Sequence, residues 1–184
     1  MGKIGDSLRR ATEAVFTRKP PVSTQKRVGF LKAQLKTTRA VAELLGVSQR
    51  TVERYLDGTR RHPPRAIAEA IDREVRARWQ PLVRKRAVSR AVTSTGIRIE
   101  TRAQFGYIAA PGTTDDGRER RITEHLPSEY AERLFEAQAF GAGEEELQDI
   151  IAEGLQEVYF KDGGRRAAGL TVRFNSVDYI ETQI

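Results

Sequence analysis

The stretch Arg39-Ala40-Val41-Ala42-Glu43-Leu44-Leu45-Gly46-Val47-Ser48-Gln49-Arg50-Thr51-Val52-Glu53-Arg54-Tyr55-Leu56 reads as two short helices joined by a tight turn. Val41, Leu45, Val52 and Leu56 fall on one apolar seam at helical spacing. Ala42 is small and lets the second helix approach the first. Gly46 sits where the turn needs a positive φ, which a residue without Cβ adopts at little cost. Val47 follows as an apolar plug. Ser48 suits an N-cap, its side chain accepting from a backbone N–H near Arg50 or Thr51. With the seam buried, Gln49, Arg50, Thr51 and Arg54 face outward, and Tyr55 is a packing residue. This is the pattern of a helix-turn-helix whose second helix runs from Ser48 to Tyr55.

Those outward side chains suit the major groove of DNA. Arginine pairs bidentately with guanine, glutamine pairs with adenine, and threonine touches a phosphate or a thymine methyl. The N-terminal end of such a helix faces the base edges. Backbone N–H groups near Ser48 and Gln49 add a place for phosphate. The sequence therefore predicts a DNA reader that contacts its target through Ser48, Gln49, Arg50, Thr51 and Arg54. Arg60 and Arg61 just beyond, and Arg84, Lys85, Arg86 and Arg90 later, would meet phosphates and supply salt-dependent affinity with little sequence choice.

The flanks of this motif read as further helices. Asp6 is placed to cap a first helix holding Leu8, Ala11 and Val15, which Lys19-Pro20-Pro21 ends. Ser23 or Thr24 caps the next, with Val28, Leu31 and Leu35 at spacings of three and four. Pro64 suits the first turn of a helix with Ile67, Ile71 and Val75 on one face, and Pro81 should break or kink it. Beyond Ser94-Thr95-Gly96 the period changes. Ile97, Ile99 and Thr101 alternate with Arg98, Glu100 and Arg102, as in a half-buried strand, and Phe105 and Tyr107 continue the pattern. Arg120 to Glu124 reads as a second strand. Helices follow around Tyr130, Leu134 and Phe135, and around Leu147, Ile150, Ile151 and Leu155. Leu170-Val172-Phe174 and Val177-Tyr179 read as two last strands.

The fold class expected is α+β: a basic helical region over 1–95, with the helix-turn-helix at 39–57, then a smaller acidic α+β domain over 96–184 with about four strands and two helices. Charge divides the same way. Residues 1–102 carry 24 Lys/Arg against 9 Asp/Glu, while residues 103–184 carry 8 against 16. A basic half joined to an acidic half points to a polyanion-binding part beside a part with another task. The chain lacks cysteine, which excludes disulfides and thiolate metal sites. No apolar run approaches the roughly 20 residues of a membrane span. Lys3, Arg9 and Arg10 stand near the N-terminus without a signal-type apolar core, so a cytoplasmic protein is expected. His62 and His125 lie in no metal-ligand pattern, and Glu144-Glu145-Glu146 reads as the charged first turn of a helix.

The loop Pro111 to Gly117 sets two threonine hydroxyls, Thr113 and Thr114, beside Asp115 and Asp116. On chemistry alone it is a turn with aspartate caps. A resemblance gives it more meaning. Met1-Gly2-Lys3-Ile4-Gly5-Asp6, Gly46 to Leu56, Arg78-Trp79-Gln80-Pro81, Ala110 to Asp116, and Glu157-Val158-Tyr159-Phe160 with Gly163-Gly164-Arg165-Arg166 are the segments that carry it. Through them the chain resembles the telomere-protecting terminal proteins of linear actinobacterial chromosomes and plasmids.

That resemblance implies a protein primer, joined covalently to the 5′ ends of a linear replicon during telomere end-patching replication. It is no enzyme itself but the acceptor of a deoxynucleotide. The priming hydroxyl carries over to Thr114, with Thr113 as the alternative. A threonine hydroxyl is a poor nucleophile until a metal or base takes its proton. The partner polymerase's divalent metals would supply that, so the chain needs no cofactor of its own. The partners implied are telomeric DNA (duplex or folded single strand), a DNA polymerase and a telomere-associated recruiting protein, with no membrane. The location implied is the cytoplasm, with the nucleoid at replicon ends. The competing expectation is a helix-turn-helix transcriptional regulator with an α+β dimerisation or effector domain.

Overall fold

The structure, a computed structural model, describes residues 2–108, 117–165 and 169–184. An all-helical region of six helices is followed by a mixed region with three strands and two helices among the described residues. By compactness the chain divides differently from the boundary expected near residue 95. One unit is residues 16–81; the other joins residues 1–15 to residues 82–184. The reason is packing. The first helix, α1 (Lys3–Ala14), lies against the last strand and the last helix of the α+β region, and shares their core through Ile4 and Leu8.

The unit 16–81 holds α2 (Thr24–Leu35), α3 (Thr38–Leu45), α4 (Gln49–Leu56) and α5 (Arg65–Arg78). Its core is Val28 and Leu31 from α2, Val41, Ala42 and Leu45 from α3, Val52 and Tyr55 from α4, and Ile71 and Val75 from α5. These are the apolar positions at helical spacing, and burying them is what holds the four helices together. Arg27 of α2 pairs with Asp72 of α5 at 2.9 Å. Trp79 packs edge-on against Phe30, with ring centroids 5.1 Å apart, and its indole N–H donates to the Arg18 carbonyl at 2.8 Å. The Gln80 side-chain amide meets Thr17 twice, accepting from its N–H and donating to its hydroxyl, both at 2.9 Å. The two ends of the unit are thus tied together.

In the other unit, α6 (Pro81–Arg90) starts on Pro81, the residue expected to end α5. A π-helical turn, Ala91–Thr95, leads into β1 (Ile97–Ile108). Then come β2 (Arg118–Leu126), α7 (Ser128–Ala139), α8 (Glu144–Leu155), a second π-helical turn (Gln156–Phe160) and β3 (Thr171–Gln183). The sheet is antiparallel in the order β2-β1-β3, with Ile97 opposite Leu126 and Arg98 opposite Gln183. One face carries Ile97, Ile99, Ala103, Phe105, Ile122 and Ile180 into a core shared with α1, α7 and α8. The other face is polar and uncovered, and includes Arg98, Arg102, Gln104, Arg121 and Glu181.

Three strands, not about four, make this sheet among the described residues. The segments around Phe174 and Tyr179 belong to one strand. Its register slips opposite Arg102/Ala103 and Gln104/Phe105, so that Asp178 and Asn175 have no partner residue on β1. Each such bulge reverses which face the next residues point to. Asp6 does not cap α1. The N-cap is Gly2, and the Glu144 carboxylate accepts from the N–H groups of Ile4 at 2.7 Å and Gly5 at 3.4 Å.

Candidate nucleic-acid interface

The helix-turn-helix is built from two capped helices and one glycine turn. Thr37 caps α3 by accepting from the Ala40 N–H at 3.1 Å. Gly46 ends α3 at φ 64° and ψ 34°. Its own N–H reaches back to the Ala42 and Glu43 carbonyls, and the Val47 N–H bonds the Ala42 carbonyl at 3.0 Å. This left-handed cap satisfies carbonyls that the helix end would otherwise leave open. Ser48 caps α4, its hydroxyl accepting from the Thr51 N–H at 3.2 Å and meeting the Thr51 hydroxyl at 2.9 Å. Val47 packs against the helical core, as a turn plug should.

The faces of α4 divide as the sequence predicts. Val52 and Tyr55 are buried, and Gln49, Arg50, Glu53 and Arg54 are exposed. Ser48 is also exposed, whereas Thr51 is half-buried with its hydroxyl engaged by the cap. Gln49, Arg50, Glu53 and Arg54 line one open hollow with Asp57 and Thr59. Among the described residues, no carboxylate lies within ion-pair distance of Arg50, Arg54, Arg60 or Arg61. Arg39 and Arg65, by contrast, are held by Glu43 at 3.0 Å and Glu69 at 2.7 Å. The first four cations are left available to an external anion. Arg60 lies over the Tyr55 ring, 5.8 Å from its centroid, and its N–H bonds the Arg54 carbonyl at 2.9 Å.

Two acidic residues in this hollow were not singled out from sequence. Glu53 lies one turn after Gln49, whose side-chain amide donates to it at 3.4 Å and to the Thr38 hydroxyl at 2.9 Å. The i,i+4 spacing of Gln49 and Glu53 is the signal that could have found it. Asp57 accepts from the Thr59 hydroxyl and N–H, which hold its carboxyl below its ordinary range. A carboxylate here repels phosphate but can accept from the cytosine amino group, so it favours selectivity over affinity.

The other expected contacts lie elsewhere. Lys85, Arg86 and Arg90 are exposed on α6 and Arg84 is half-buried there. These four belong to the α+β unit, not to the helix-turn-helix unit. Thr113 and Thr114, with Asp115 and Asp116, lie outside the described residues. The strands flanking them in sequence pair closely, with Phe105 opposite Arg118. At that end of the sheet Phe105 packs on Phe160 and Phe174, with centroids 5.5 and 4.9 Å away. The Gln104 amide donates to the Gly117 carbonyl at 3.3 Å. A Cβ on Gly106 would come 2.6 Å from the end of the Asn175 side chain, which would have to turn aside.

On the uncovered sheet face, Arg121 pairs with Glu100 at 2.9 Å, and the Tyr179 hydroxyl donates to the same carboxylate at 3.1 Å. Arg102 bridges Glu119 at 2.9 Å and Asp178 at 3.3 Å. The Arg121 bond, followed by that from Tyr179, holds the Glu100 carboxyl below its ordinary range. Arg102 and Arg121 are thus both paired with carboxylates of this face. His125 bonds the Thr95 carbonyl, a structural contact, and His62 is exposed beside the N-terminus of α2. No helix among the described residues is long and apolar enough to cross a membrane.

Comparison of the chain with protein-family models, with curated proteins and with solved structures gives no match.

Proposed function

We propose that this chain binds duplex DNA through α3 and α4, and that it serves as a protein primer at the ends of a linear replicon. One observation carries the binding part. Gln49, Arg50 and Arg54 stand exposed on a capped helix, the two arginines without an ion-pair partner among the described residues. The unit that bears them has 15 Lys/Arg against 6 Asp/Glu. Docked with its N-terminal turn toward the bases, α4 would offer Arg50 and Arg54 to guanine and Gln49 to adenine. Arg60 and Arg61 follow on the exposed segment and would meet the backbone.

The priming part rests on the sequence resemblance, and Thr114 is the residue it assigns. In that reaction the Thr114 hydroxyl oxygen attacks the α-phosphorus of a deoxynucleoside triphosphate held by the polymerase. A phosphorus–oxygen bond to the protein forms as the bond to pyrophosphate breaks. The hydroxyl proton passes to a base or metal-bound hydroxide of the polymerase. Incubation with the replicon's polymerase, a divalent metal and a labelled deoxynucleotide tests this. The wild-type chain should be labelled. Thr114→Ala should bind duplex DNA normally and take no label, while Thr113→Ala keeps it. Full labelling of Thr114→Ala would overturn the assignment.

The second reading, a transcriptional regulator, has one observation in its favour. The uncovered face of the sheet β2-β1-β3 leaves the α+β part room to meet a second copy or an effector. It requires a palindromic operator with half-sites about one helical turn apart and no covalent adduct. Protease treatment of replicon end fragments separates the two readings. A protease-dependent change in gel mobility supports the primer, and unchanged mobility supports the regulator.

A further inference from the structure

The outward surface of α4 carries two rows of opposite chemistry. Gln49, Glu53 and Asp57 follow one another at intervals of four residues, and so do Arg50 and Arg54. Residues four apart lie one above the other on a helix, so the rows run side by side. All five side chains are exposed and line the same open hollow. Arginine can only donate, and an ionised carboxylate can only accept. One row is therefore all donors, and Gln49 decides whether the other is all acceptors.

A free glutamine amide offers both kinds of group and pairs bidentately with adenine. Gln49 is not free. Its nitrogen donates to the Thr38 hydroxyl at 2.9 Å and to the Glu53 carboxylate at 3.4 Å. Glu53 sets which end of the amide is the nitrogen, because a carboxylate has nothing to donate to an amide oxygen. Two acceptors thus meet the two hydrogens of the nitrogen. The amide oxygen has no hydrogen-bond partner among the described residues. Asp57, at the end of the row, is held by Thr59. From Gln49 to Asp57 the row presents acceptors alone.

In the major groove a G·C pair shows guanine N7 and O6 as acceptors and, beside them, the cytosine amino group as donor. An A·T pair shows acceptors at adenine N7 and thymine O4. Set against the acceptor row, either of these faces a carboxylate, whereas cytosine brings an N–H and no acceptor. We infer that Gln49 and Glu53 together read the amino group of a cytosine, beside guanine contacts made by the Arg50–Arg54 row. The inference rests on the DNA-binding reading above and replaces adenine by cytosine as the base that Gln49 meets. Thr38 is a positioning residue: it holds a hydrogen that Gln49 would otherwise give to adenine N7.

The test takes the full chain and selects bound duplexes from a random-sequence library. The position at which Gln49→Ala changes the preference identifies the base that Gln49 contacts, and in the wild type that base should be cytosine. A fluorescent copy of the selected duplex then carries each base pair there in turn, and also 2-pyrimidinone, which is cytosine without its amino group. Wild-type affinity should fall about tenfold with adenine, thymine or 2-pyrimidinone, the effect of losing one hydrogen bond to a charged group. Glu53→Gln, whose new amide can also donate, should flatten the preference at that position and leave the guanine preference of the arginines intact. Glu53 is exposed, so this variant should melt with the wild type. Thr38→Val returns one amide hydrogen to Gln49 and should admit adenine, a gain that 7-deazaadenine, which lacks N7, should not share.

Adenine or thymine at that position in the wild type would overturn the inference. So would an unchanged profile in Glu53→Gln, or a Gln49→Ala variant that alters no position. A loss spread evenly over all positions in Glu53→Gln would do the same, since it marks a merely structural side chain. If Arg50→Ala loses a guanine preference while Glu53→Gln changes nothing, the acceptor row fails and the DNA-binding reading stands. A wild-type chain that binds no duplex removes both.

Discussion

An exposed arginine on a DNA-facing helix can read a base or hold a phosphate, and the two roles leave different traces. Arg50 and Arg54 are exposed and lack ion-pair partners among the described residues, so neither must break a bond to reach DNA. Arg50→Ala and Arg54→Ala should each weaken binding by roughly 1–3 kcal/mol and relax the preference for one base pair if they contact bases. Titrating each variant against a panel of single-base-pair changes measures this. A loss uniform across the panel, with a shallower salt slope, would make them phosphate contacts instead. Gly46 carries a different constraint. Nothing lies within 4 Å of where its Cβ would sit, so the cost of a side chain there is purely conformational. Gly46→Ala should lower stability by about 1–2 kcal/mol, with Gly46→Asn affected less; equal stability of all three by urea unfolding would refute the argument. Gly46 and Ser48 were legible in the sequence because a left-handed turn and an N-cap each demand a particular residue type at a particular place. Glu53 and Asp57 were not, because an acidic residue beside a DNA-reading face breaks the charge pattern that marks the face.

The capping of α1 shows what sequence cannot supply. Asp6 has the right chemistry for a cap, but the cap is the Glu144 carboxylate, contributed from the first turn of α8 across the core. The two helix N-termini share one carboxylate, which complements both dipoles. Glu144→Ala should therefore destabilise the α+β unit by about 1 kcal/mol, the usual effect of losing a cap, with Glu144→Gln in between. Denaturant midpoints check the order, and a neutral Glu144→Ala would show that solvent serves the Ile4 and Gly5 amides as well. A Cβ on Gly2 would fall 1.9 Å from this carboxylate, so Gly2→Ala must displace Glu144 and should behave like its removal. Such long-range partners have no periodic signature. Helices α2 to α5 were legible because their apolar positions recur at helical spacing within short segments, as were β1 and its polar outward face. The last strand was misread for a local reason. Val172 and Phe174 point inward, then the bulge at Asn175 resets the phase to Val177, and that at Asp178 resets it to Ile180, leaving Tyr179 on the outer face. Read without the bulges, one strand looks like two.

The division of charge across the molecule sets how the two units respond to their surroundings. The helical unit, 16–81, carries 15 Lys/Arg against 6 Asp/Glu, whereas the remaining residues carry 17 against 19. Acid should therefore act unevenly. Glu100 is held below the ordinary carboxylate range by Arg121 and Tyr179, Glu153 by Arg133, and Glu157 by Lys161 and Gln156, all in the α+β unit. In the helical unit Asp57 is depressed in the same direction, by Thr59. A carboxylate whose folded pKa is depressed stabilises the fold above its unfolded value, and that contribution is lost as pH falls through the folded one. The window therefore opens below about pH 4–5, where free carboxyl groups begin to protonate. The pairs are solvent-exposed and individually weak, but three of them lie in one unit. The chain's single tryptophan, Trp79, sits against Phe30 in the helical unit and so reports on that unit. On stepwise acidification the signal of β-structure in circular dichroism should fall at a higher pH than the change in Trp79 fluorescence. High salt should narrow the gap by weakening the same ion pairs. Coincident transitions at low and high salt would mean that the two units unfold as one, and that these carboxylates do not set the acid limit of either.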